Sequence, residues 1–183
     1  MSVIVNKEKS SLRVAFCGSM GSGKTYASNL IHERAEVRVL SIAKPIKEIV
    51  SDMGHSDRAS HIMVATVGRQ LSPNVWIDRL MGRIKKYESS GVCNFVVDDV
   101  RFENEALALQ HAGFVLVYLN TPWHVRFQRI RERTDDLSAH VQWFAHESEV
   151  SPEKMDKKLF DYICESEEDV NSVCDEICNS IKY

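Results

Sequence analysis

Short unbroken apolar runs alternate along this chain with longer stretches in which apolar residues recur every three or four positions. Residues 12–17 form the first run and predict a buried strand, and residues 26–33 predict the helix that follows it. A second strand is expected over 37–42, then a helix over 43–50 whose Pro45 suits a first turn, where a missing N–H costs nothing. The stretch 51–60 is polar and turn-like. Helical spacing resumes over 62–71 and 74–87, with Trp76, Ile77, Leu80, Met81 and Ile84 on one face. Residues 92–97 are apolar apart from Asn94 and end in Asp98 and Asp99, as expected of a central parallel strand buried on both sides. A helix over 103–111, a strand over 114–119 and a basic helix over 122–133 come next. A polar span then reaches residue 158, ahead of a strand over 159–164 and a closing amphipathic helix over 167–181.

Strands alternating with helices imply right-handed crossovers, a parallel sheet and ligands at the carboxyl ends of the strands. The expected fold is α/β: three layers, a central parallel sheet of about five strands and helices on both faces. One domain over 1–183 is expected, with a helical lid over roughly 122–150.

At the first strand-to-helix junction stands Gly18-Ser19-Met20-Gly21-Ser22-Gly23-Lys24-Thr25, the phosphate-binding pattern GxxxxGK[ST]. Its context is the one the physics requires. Glycines let main-chain N–H groups turn inward around a polyphosphate, and the helix N-terminus adds partial positive charge. Lys24 is placed to reach the β- and γ-phosphates, and the Thr25 hydroxyl to touch Mg²⁺. Gly18, Gly21, Ser22, Gly23, Lys24, Thr25 and Tyr26 are therefore the expected ATP-binding set.

Composition adds limits. The chain has 183 residues, 44% hydrophobic and 27% charged, enough for a substantial core, and its net charge of -3 offers no overall attraction to nucleic-acid backbones. No apolar run approaches membrane-spanning length and residues 1–10 do not resemble a signal peptide, so a cytoplasmic protein without membrane or nucleic-acid partners is expected. Cys17, Cys93, Cys164, Cys174 and Cys178 read as free, largely buried thiols.

Beyond the loop, Asp99 is the expected metal carboxylate, holding Mg²⁺ through water or accepting from Thr25. Asp98 is equally qualified, and strict strand alternation lets only one of them point into the site. Arg101 suits bidentate phosphate binding, with an ion pair to Glu103 or Glu105 as the structural alternative. Helical offsets place Arg126, Arg129 and Arg133 on one face, as a cationic lid for phosphoryl transfer would require or as a solvated basic helix would show. His146-Glu147-Ser148-Glu149 reads as a turn or helix cap unless it serves the lid.

In this order the blocks resemble the deoxynucleoside monophosphate kinases of phages. The resemblance rests on residues 18–25, on Ala43-Lys44-Pro45-Ile46-Lys47, and on Gly68-Arg69 with Trp76 downstream. It rests above all on Asp99-Val100-Arg101-Phe102-Glu103-Asn104-Glu105-Ala106, which is similar to the family's Asp-Val-Arg-Phe-x-Asn-Glu-Ala. His146-x-Ser148-Glu149 and Phe160-Asp161-Tyr162-Ile163 also match in order. The resemblance implies a P-loop kinase fold and ATP- and Mg²⁺-dependent phosphorylation of a deoxynucleoside 5′-monophosphate. It casts Lys24 and Thr25 as ATP and Mg²⁺ ligands, Asp99 and Arg101 as metal and acceptor-phosphate groups, and Arg69 and Glu149 as acceptor-side contacts. Together with the basic helix, the working set is Lys24, Asp99, Arg101, Arg129 and Arg133 for catalysis and Lys44, Arg69, Arg101, Arg126 and Glu149 for the acceptor. The Arg-bearing stretch after residue 119 departs from the family's short Pro-Gly loop and looks more like adenylate or dephospho-coenzyme A kinases. Kinases of dephospho-coenzyme A, phosphomevalonate or ribonucleoside monophosphates are thus alternatives, as is a non-kinase ATP-binding accessory protein. Apolar helix faces around Trp76 leave room for a homodimer.

Overall fold

The computed structural model describes residues 11–133 and 144–180. Its elements run β1 (Arg13–Cys17), α1 (Lys24–Arg34), β2 (Arg38–Leu40), α2 (Lys44–Asp52), α3 (Arg58–Leu71), α4 (Val75–Glu88) and β3 (Phe95–Val100). They continue with α5 (Glu103–His111), β4 (Val115–Leu119), α6 (Trp123–Arg131) and α7 (Glu147–Lys154). A 3-10 turn (Lys157–Leu159), β5 (Tyr162–Cys164) and α8 (Glu167–Asn179) complete the order. The sheet is β2-β3-β1-β4-β5 and every pairing is parallel, as the alternation of strands and helices requires.

The pleat of β1 divides the core in two. Val14 and Phe16 face one side, where they pack with Ala27 and Ile31 of α1 and Cys174 and Ile177 of α8. Ala15 and Cys17 face the other, against Ile46 of α2, Trp76 and Leu80 of α4 and Leu109 of α5. Helices therefore cover both faces and leave the carboxyl edge of the sheet open for ligands. Four of the five cysteines are buried thiols within this packing, while Cys93 is exposed.

Several boundaries differ from the sequence expectation. α3 begins at Arg58, inside the stretch read as turn, because Asp57 caps it by accepting from Ser60 N at 2.8 Å. β3 starts only at Phe95 but continues through both aspartates to Val100. α6 stops at Arg131, and α7 occupies part of the span read as polar and irregular. Of the expected lid, residues 134–143 lie outside the described residues.

Trp76 is buried. Its indole N–H donates to Ala65 O at 2.9 Å, and its ring lies so close to Gly68 that a Cβ there would meet it at 2.2 Å. The apolar surface that α3 leaves exposed is instead Met63, Val67 and Leu71. Among the described residues no helix is long and apolar enough to cross a membrane.

Candidate active site

β1 runs straight into the phosphate loop. Gly18, Ser19 and Ser22 are buried, and Gly21 has φ 79 with Arg126 O only 2.8 Å from where a Cβ would stand, so only glycine fits that turn. Gly23 caps α1, which opens with Lys24 and Thr25. The Lys24 ammonium is folded into the loop, donating to Gly18 O at 2.6 Å, Ser19 O at 2.9 Å and Ser22 Oγ at 3.3 Å. Burial, and secondarily the Arg101 charge, push its pKa down to about 7. Thr25 and Tyr26 are exposed on a cleft of about 550 Å³ that also receives Lys44, Asp98, Asp99, Arg101 and Arg133.

The end of β3 corrects the expectation that one aspartate must turn away. Ala15 pairs with Val97 but Cys17 pairs with Val100, so Asp98 and Asp99 together stand opposite Phe16. That bulge breaks the alternation, and both carboxylates line the cleft. Asp99, the expected metal ligand, uses both oxygens at the β2–α2 junction: it accepts from Ser41 Oγ at 2.6 Å, Ile42 N at 2.8 Å and Ala43 N at 2.9 Å. Asp98 accepts no hydrogen bond from another described side chain, and burial together with the Asp99 charge raises its pKa.

Beyond β3, Arg101 pairs with neither Glu103 nor Glu105 through its side chain. Its guanidinium reaches Glu149 at 2.6 Å and Ser148 O at 3.4 Å. Pro152 makes the second contact available, because it lacks the N–H that would otherwise occupy Ser148 O in the helix. The histidine of this segment caps α7, with His146 Nδ1 accepting from Ser148 N at 3.2 Å. Arg58, which no local pattern singles out, also pairs with Glu149, at 2.9 Å.

These residues border a second cavity of about 320 Å³, walled by Ile42, Ile46, Ile62 and Ala65 and edged by Arg58, Arg69, Arg101 and Glu105. Glu105 is buried and accepts from Arg101 N at 2.9 Å and Phe102 N at 3.1 Å, and burial lifts its pKa to about 7. Arg69 lies 4.0 Å from it, stacked on the Phe102 ring at 4.1 Å. Lys47, Asp99 and Arg101 line both cavities, so the two share a wall.

The basic helix divides its arginines. Arg126 is buried and turned toward Thr121 O at 3.1 Å and Glu153 at 2.5 Å, and it lines neither cavity, contrary to its expected acceptor role. Arg129 approaches the loop at Gly21 O, 3.5 Å away, and pairs with Glu167 at 3.7 Å. Arg133 follows the end of α6 and lines the loop cleft. Lys44 is exposed and lies 3.8 Å from Glu48, and Tyr26 links α1 to α8 through Asn171 at 3.3 Å.

Residues 14–170 match the model of a family described as AAA domain. This chain belongs to that family. A UPF0200 protein of Methanosarcina barkeri is 31% identical over 133 residues, covering 69% of each chain. Among solved structures, a shikimate kinase from Acinetobacter baumannii in complex with shikimate superposes with TM-score 0.60 at 16% identity, over 95% of this chain and 94% of that one. An unliganded sugar kinase from Janibacter sp. HTCC2649 gives TM-score 0.60 at 15% identity, over 93% and 98%. The AAA-domain chain thus has the P-loop kinase fold, with its loop, its bulged β3 and its paired cavities at the sheet's carboxyl edge.

Proposed function

We propose that this protein transfers the γ-phosphate of ATP to a deoxynucleoside 5′-monophosphate. The observation that carries the reading is the shared wall: a main-chain phosphate cradle and a separate, apolar-walled, arginine-edged cavity meet at Arg101. Two anionic substrates held there would lie end to end, which is what phosphoryl transfer needs. Phage deoxynucleoside monophosphate kinases, which the Asp99 to Ala106 block resembles, supply the acceptor class.

In this reading the amides of residues 21–25 and Lys24 hold the β- and γ-phosphates. Arg101, Arg58 and Arg69 receive the acceptor phosphate, and Arg129 and Arg133 approach the transferring group from α6. The apolar slot between Ile46 and Ile62 takes the nucleoside. No general base is required, because the acceptor is already an anionic phosphate oxygen. Thr25 and Asp98 suit Mg²⁺: one hydroxyl and one carboxylate that accepts from no other described side chain leave the remaining positions to phosphate oxygens and water. Bound there, the ion would neutralise charge on the phosphates. Asp99 then acts behind Asp98, tying β3 to α2.

An acceptor panel with labelled ATP and Mg²⁺ tests the proposal. Deoxynucleoside and ribonucleoside monophosphates, dephospho-coenzyme A, phosphomevalonate and shikimate are compared. Label should pass to a deoxynucleoside monophosphate. Transfer to another member instead, or ATP loss at a rate indifferent to every acceptor, refutes it.

A further inference from the structure

The Glu149 carboxylate is nearly sealed from solvent, its side chain 3% exposed, and it faces donors from three other segments. Oε2 accepts from the phosphate-loop amide Met20 N at 2.5 Å and from Arg101 Nη1 at 2.6 Å. Oε1 accepts from Arg58 Nη2 at 2.9 Å. One oxygen therefore bridges the loop to an arginine at the wall between the two cavities.

The donor set exceeds what Glu149 can satisfy. Two guanidiniums face a single carboxylate, which leaves positive charge in surplus. Among the described residues, Arg58 Nε is buried without a hydrogen-bond partner, and Arg58 Nη1 has only Met20 Sδ at 3.3 Å. A buried N–H without an acceptor is destabilising, and a guanidinium fork is shaped for two parallel bonds to an oxyanion. Because Oε2 of Glu149 serves Met20 N and Arg101, the Arg58 fork is left half used, whereas a tetrahedral oxyanion has a further oxygen for it.

We propose that Met20 N–H, Arg58 and Arg101 form a site for a phosphate dianion, and that Glu149 is a displaceable internal anion filling it until phosphate arrives. The phosphate's owner, a monophosphate acceptor, rests on the kinase reading; the site and its internal occupant do not. Arrival of the phosphate takes both arginines and Met20 N from the Glu149 carboxylate and leaves α7 held to the loop by Ser19 Oγ on Glu149 O at 2.8 Å.

Titration calorimetry of the full chain with inorganic phosphate, at low ionic strength and without nucleotide, decides the matter. Removing a competing internal anion should make Glu149→Gln bind phosphate about tenfold tighter than wild type, as expected if the filled state outweighs the open one by that factor. A residue that merely holds the arginines in place predicts the opposite sign. Unchanged or weaker phosphate binding by a folded Glu149→Gln overturns the proposal. Should that variant not fold, Glu149→Asp carries the same test, since its shorter side chain reaches the three donors less well: phosphate affinity should rise, and no rise overturns the idea. Tighter phosphate binding in a protein that phosphorylates no acceptor would leave this site standing and remove only the kinase assignment.

Discussion

β1 and β3 lie side by side, run parallel and end at the same cleft, yet they deliver chemistry by different means. β1 passes into the eight contiguous residues of the phosphate-loop pattern, whose main-chain N–H groups, with Lys24 and Thr25, make the proposed anion cradle. β3 delivers side chains, and their directions depend on a bulge at Asp98 and Asp99 that no neighbouring residue announces. Their partners are remote: Ser41 stands 58 positions from Asp99, and Glu149 stands 48 from Arg101. A site made of main chain needs only local conformation, whereas a site made of charged side chains needs register and packing.

The largest expected effect tests the β1 half. Lys24→Ala should lower turnover by about 10³-fold, the scale of losing a principal electrostatic stabiliser, while circular dichroism and thermal unfolding report an intact fold. Near-normal turnover would break the assignment of the loop as donor site. The β3 half is sharpened by comparing neighbours. Asp98→Asn should cost roughly 10²-fold in activity with little change in stability. Asp99→Asn should instead destabilise by about 2 kcal/mol, because an amide cannot accept from all three donors at the β2–α2 junction. Equal stability losses in the two variants would erase the distinction between open and anchored carboxylates.

The smallest effect is a pH dependence. Free Lys24 titrates near 7 because it is buried, and ATP favours its charged form. Binding therefore takes up a proton above that pH, and apparent ATP affinity should fall by up to about tenfold per unit from pH 7 to 8.5. Calorimetry across that range, in buffers of differing ionisation heat, measures both the affinity and the proton uptake. A flat profile would mean that the lysine stays charged in the free protein.

Much of this is legible in the sequence alone. Apolar runs located the five strands, and the loop pattern marked the junction of the first strand with the first helix. The loop is legible because its glycines encode backbone shape directly. α7 was not, since Pro152 and a crowd of acids hide its helical character, although that proline frees the carbonyl that Arg101 uses. Arg58 gave no signal at all: it lies in a polar stretch, and only the fold brings it to Glu149. Arg126 misled through helical spacing, which fixes a face but not whether that face meets ligand or protein.

By itself, then, the sequence determined a parallel sheet and the glycine-rich loop at the end of its first strand. Hydrophobic periodicity and glycine conformation are properties of short segments, and short segments carry them into any fold. The tertiary structure alone decided which aspartate stays open, which arginines gather on Glu149, and that a second cavity shares a wall with the first. Those outcomes depend on side chains distant in sequence meeting at fixed geometry, and only the packed sheet and its covering helices impose that geometry.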